Sequence, residues 1–150
     1  EPSLPAPVRE VAILVTGAHF RAAYELYAYV IIAEQRGLSD EKLATIVAGQ
    51  RPVDLTRQEA VAYDFASALV NGGVLPELTY RRAVSEFGEP GAAELSYLIG
   101  VYCLALLWQI WLKAACDQRL TAGASCWWRP HEEVEDGLSD GRHAGLWRWT

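Results

Sequence analysis

The chain is poor in sulfur and imidazole, with three cysteines, three histidines and no methionine among its 150 residues. Cys103, Cys116 and Cys126 form no C-x-x-C pair. Neither they nor His131, Glu132 and His143 fall at a zinc-ligand spacing, so no redox motif is present and no metal is expected. There is also no Gly-rich phosphate loop and no basic stripe. With a formal net charge of −6, nucleic-acid binding, which depends on neutralising phosphates, is not expected. No segment alternates apolar and polar residues as a strand would, and no repeat recurs at solenoid spacing. No secretory signal pattern is visible, because Pro2, Pro5 and Pro7 interrupt the first residues. Together with the odd cysteine count, this makes a reducing, cytoplasmic compartment the expectation.

What is present is a folded composition, 51% hydrophobic and 21% charged, in a chain of one-domain length. The pattern is helical throughout. Val8 to Thr16 and His19 to Arg36 read as one long helix or two abutting ones with Gly17 as the weak point, and Gly37 stops the second. Ser39 is placed to cap a short helix that finishes near Gly49, and Thr56 with Glu59 makes a capping-box start for a helix reaching Val70. Pro76 opens another helix, which the Gly88-Glu89-Pro90-Gly91 cluster breaks after Phe87.

Leu95 to Leu112 contains no charged residue, the lower length bound for a membrane span. Ser96, Gly100 and Gln109 dilute it and Glu94 abuts it, which weighs against a membrane span, and the family resemblance given below implies a core helix. A helix apolar on all sides needs cover on all sides, which predicts a homo-oligomer. Residues 113–150 differ in character, with Trp127-Trp128, an acidic patch and Trp147-Arg148-Trp149 in no regular period. The expectation is a helical domain over 1–112 and an atypical tail over 113–150. A shifted reading frame is one hypothesis for the tail, tested by translating the other two frames past Leu104.

Chemistry-bearing residues concentrate near the start of the chain. Glu10, His19, Tyr24, Glu25 and Tyr29 fall in one helical region, with Glu25 one turn before Tyr29. A carboxylate, a phenol and an imidazole this close make either a proton-transfer site or a satisfied buried hydrogen-bond cluster. The ordered blocks R-E-x-A-I-L-V-T (Arg9–Thr16), H-F-x-x-x-Y-E-x-x-A (His19–Ala28) and A-x-x-x-G-L-S-D-E (Ala33–Glu41) continue in Glu59–Leu69, Thr79-Tyr80, Phe87-Gly88-Glu89, Glu94-Leu95 and Leu98–Leu104. This set resembles the carboxymuconolactone decarboxylase-like proteins of the alkylhydroperoxidase D superfamily, over about two-thirds of the chain.

The resemblance implies an all-α fold, a compact bundle of about six helices, in a trimer or hexamer. It also implies cofactor-free decarboxylation or proton transfer on a small carboxylated lactone or related carbonyl compound. Glu25, His19, Tyr29 and Glu10 would be the catalytic residues, with Arg21 and Tyr24 binding substrate. Two departures bear on this. Counting from Glu10, the positions of the superfamily's C-x-x-C pair and following His hold Ala22, Glu25 and Tyr29. A thiol peroxidase therefore has no nucleophile here. Tyr29 also puts a phenol, with an ordinary pKa near 10, where the decarboxylase-like branch keeps an imidazole. The rival from another class is a non-catalytic helical binding or scaffold protein that has kept the fold and lost the chemistry.

Overall fold

A computed structural model describes residues 4–72 and 74–121, with the side chains of 23–25 and 119–121 outside that description. The described residues form five α-helices and no strand: α1 (Ala6–Phe20), α2 (Ala23–Gln35), α3 (Asp40–Val47), α4 (Arg57–Val70) and α5 (Glu77–Thr121). The chain divides into two compact units, 1–109 and 110–150, of which the second is described over 110–121 only. What was expected of Cys126, His131, Glu132, His143 and the tryptophans beyond Trp111 lies outside the described residues.

The first unit is built around α1. Val8 and every residue from Glu10 to Gly17 are buried, as a helix that is apolar on nearly all sides must be. It packs against α2, α3 and α4. Its Val11 and Leu14 share one core cluster with Leu43, Ile46, Phe65, Ala83, Ala92, Leu95 and Ile99. Thr16, fully buried, donates its hydroxyl to the Ala12 carbonyl at 2.8 Å, so the core holds no orphaned hydroxyl there.

The helix ends follow from local chemistry. The Ser39 hydroxyl accepts from the Lys42 N–H at the start of α3, with Asp40 and Glu41 in the first turn. Thr56 and Glu59 form the reciprocal capping box of α4. The first three helices close with the same pair of hydrogen bonds, in which N–H groups just past the end reach back to carbonyls of the last turn. In α2 these run from Gly37 to Glu34 and from Leu38 to Ala33, and in α3 from Gly49 to Ile46 and from Gln50 to Thr45. In α1 they run from Arg21 to Ala18 and from Ala22 to Gly17. The left-handed position of this motif suits glycine, and Gly37 and Gly49 occupy it with φ of 93° and 73°. In α1 the position is held by Arg21, at φ 51°.

The break between α1 and α2 therefore lies at Arg21 and not at Gly17. Gly17 stays helical, and a Cβ there would lie 3.0 Å from Leu26 Cδ2. The absent side chain thus lets α2 approach α1 closely. The Gly88 cluster acts as expected but less completely. Gly88 (φ 72°, ψ 172°) leaves helical geometry, and α5 resumes at once beyond it, with Pro90 in the first turn of its second arm. Gly91 lies so close to Phe87 that a Cβ would meet the Phe87 Cβ at 2.5 Å.

Candidate functional site

Glu10 is a buried carboxylate, 6% exposed at the start of α1's covered run. Its Oε2 has no hydrogen-bond partner among the described residues, and neither does the buried Nε of Arg9 beside it. Burial pushes the Glu10 carboxyl above its ordinary value, against the pull of the Arg36 and Arg9 charges. Desolvation outweighs the two cations.

Tyr29 on α2 and Tyr102 on α5 meet edge to face, with ring centroids 5.1 Å apart and an angle of 74° between planes. The Tyr102 phenol is held well above its ordinary pKa, first by burial, then by the adjoining Tyr29 phenol and the nearby Glu10 charge; Arg9 opposes this. Tyr102 therefore keeps its proton near neutral pH, and its hydroxyl can donate as well as accept a hydrogen bond. Three helices thus bring a protonatable carboxyl, two phenols and the charges of Arg9 and Arg36 into one neighbourhood.

The structure unites two of the residues nominated from sequence, Glu10 and Tyr29, and adds one that was not. Tyr102 lies inside the uncharged run Leu95 to Leu112, and its phenol was the signal there, a polar tip in a segment otherwise read as core. Glu25 and Tyr24 lie in the first turn of α2, with Glu25 one turn before Tyr29, and their side chains are outside the described residues. His19 does not join the cluster. Nine residues separate it from Glu10, or two and a half helical turns, which sets it on the opposite side of α1 and roughly 13 Å along the axis. It is exposed and lies edge-on to Phe20, with centroids 5.1 Å apart. Arg21, beyond the end of α1, is exposed as well.

Other charged groups are tied into ion pairs. Lys42 donates to Glu59 Oε2 at 2.9 Å, with both side chains nearly buried. Burial alone would push the Glu59 carboxyl up, but the Lys42 hydrogen bond and charge, with the N–H of Thr56, hold it below its ordinary value. Arg51 pairs with Asp64 at 2.8 Å, and Arg57 pairs with Glu86. These four line a shallow groove of about 350 Å³ together with Arg82 and Ser85. No group of three His, Cys, Asp or Glu residues able to hold a metal occurs among the described residues. Cys103 is a half-buried free thiol, pushed up by burial. Cys116 is disulfide-bonded, which the odd cysteine count and the lack of a redox spacing did not signal.

Comparison with known proteins adds no relative: no family model, no curated protein and no solved structure matches this chain.

Proposed function

We propose that this chain is a carboxymuconolactone decarboxylase-like protein, carrying out cofactor-free proton transfer or decarboxylation on a small carboxylated lactone or related carbonyl compound. The observation that supports this best is Glu10, a buried carboxylate with an unpartnered oxygen near the edge-to-face pair of Tyr29 and Tyr102. In the proposed reaction the bond from the α-carbon to the substrate carboxylate breaks, CO2 leaves, and its electron pair enters an enolate. Tyr102, with Tyr29, donates hydrogen bonds to the enolate oxygen. The raised Glu10 carboxyl delivers a proton to the α-carbon and is recharged from water. Glu25, one turn before Tyr29, is the second carboxylate of the set, and Arg9 and Arg36 supply positive charge beside Glu10. The proposal includes the alkylhydroperoxidase D-like bundle of about six helices, a homo-oligomeric state and a cytoplasmic location.

A specific observation favours the non-catalytic reading: His19 and Arg21, nominated with Glu10, are exposed and apart from it. A thiol peroxidase is disfavoured because no cysteine lies in the motif region. Solvent-deuterium incorporation at the α-carbon of a panel of carboxylated lactones, followed by NMR, separates the readings. The enzyme reading expects exchange that falls in both Glu10→Gln and Tyr29→Phe. Wild-type protein giving no exchange across the panel would leave the binding or scaffold protein.

A further inference from the structure

The groove between α4 and the first arm of α5 lies within the first compact unit, and none of its lining residues belongs to the Glu10 cluster. Its charges do not balance. Arg51, Arg57 and Arg82 face two carboxylates, Asp64 and Glu86, which leaves one positive charge over in a chain of net charge −6. Both carboxylates are already engaged. Asp64 accepts from Arg51 through both oxygens, at 2.8 and 3.3 Å, and the same guanidinium lies 5.8 Å from the centre of the Tyr63 ring. Glu86 is paired with Arg57. A helical Arg82 would ordinarily pair with Glu86 one turn on, but Arg57 holds that carboxylate. Arg81 is matched by Glu77 one turn back, whereas the equivalent place for Arg82 holds Leu78. Arg82 is exposed, and no carboxylate among the described residues pairs with it.

We propose that this groove binds a small organic carboxylate, with its head group on Arg82 and Ser85 and its apolar body against Ala60 and Val61. The proposal goes beyond the decarboxylase-like reading and does not depend on it. A guanidinium offers two parallel N–H donors that match a carboxylate, and one monoanion cancels the excess charge of the groove. Ser85 follows Arg82 by three residues, on the same side of the helix, and its hydroxyl supplies a further donor. On α4, Arg57, Ala60, Val61 and Asp64 recur at three- and four-residue spacing along one face, so the two ion-paired residues flank an apolar stretch. The arginine stems add methylene surface to it. A volume of about 350 Å³ suits a ligand of single-ring size.

A phosphate group is the competing anion, and two features disfavour it. A dianion overshoots the single excess charge and meets repulsion from Asp64 and Glu86 in the same groove. The apolar stretch at Ala60 and Val61 also gives a bare phosphate nothing to bury.

The test is a heteronuclear NMR titration of the full chain at constant ionic strength, with sodium benzoate, benzamide and inorganic phosphate as probes. Benzoate should shift the Ala60, Val61 and Ser85 amides and the Arg82 Nε–H saturably, with a Kd on the order of a millimolar. Benzamide, which keeps the ring and loses the charge, should bind about ten-fold more weakly or worse, the weight of a charge-assisted hydrogen bond. Arg82→Gln should weaken benzoate by a similar factor, with helical content unchanged by circular dichroism. The control Arg81→Gln, whose cation is paired with Glu77 outside the groove, should bind as wild type does. Absence of a saturable shift in wild type overturns the site. Benzamide binding as tightly as benzoate overturns the carboxylate head group, and equal loss in Arg81→Gln overturns the assignment to Arg82. Phosphate binding more tightly than benzoate replaces the organic carboxylate with a phosphate and overturns the ligand class.

Discussion

Glu10 and Glu59 show how position decides what a carboxylate does. Glu10 is buried without a close cationic partner for Oε2, so its carboxyl is raised and its charge opposes folding. A raised acid contributes stability that is fully present below its unfolded value, near 4.5, and lost as pH rises through the folded one. Glu10→Gln is therefore expected to raise the unfolding temperature at pH 7 and, under the proposed function, to lower turnover by on the order of a hundred-fold. A mutant that melts lower, with turnover intact, would make Glu10 a structural residue. Glu59 has the opposite sign. Its carboxyl is lowered, so its contribution is present above about 4.5 and is lost as pH falls through the folded value. Lys42→Met strands that carboxylate among buried neighbours and should cost about 2–4 kcal/mol by denaturant unfolding at pH 7. The loss should shrink on acidification, as Glu59 takes up a proton.

At the scale of elements, the three helix ends built on one motif make a natural comparison. Gly37 and Gly49 occupy the left-handed position without strain, whereas Arg21 pays for its Cβ there. Arg21→Gly should stabilise the fold by about 0.5–1 kcal/mol, measured as a shift in urea midpoint at constant slope. If turnover falls in the same variant, the strain marks a functional position; if turnover holds, Arg21 leaves the site. Most elements were legible in the sequence because their signals are local: Ser39 as a cap, Thr56 with Glu59, Gly37 as a stop, and Gly88 as a break. The end of α1 was misplaced because its signal, a glycine, serves close packing against Leu26, and the turn is made by a residue with no turn preference. The site was half legible. Glu10 and Tyr29 stand in the motif-bearing stretch, but Tyr102 joins them from more than seventy residues away, and no local spacing encodes that meeting. His19 was overweighted because proximity in sequence stood in for helical phase.

For the molecule as a whole, the placement of α1 has a consequence in time. Its central residues, Val11, Ala12 and Leu14, are wholly enclosed by neighbours drawn from residues 4–99, and nothing on α1 offers an outer polar face that could keep it folded alone. No partial opening can then expose these amides while the surrounding helices stay assembled. Their hydrogen exchange should proceed only through global unfolding, with a protection free energy equal to that from denaturant melting. Exchange of the Val11–Val15 amides at lower free energy would show that the bundle loosens around its axis before it unfolds. The amides of α3, two turns long with one side exposed, should open well before them. The order in which protons leave this protein would trace its layers from rim to axis.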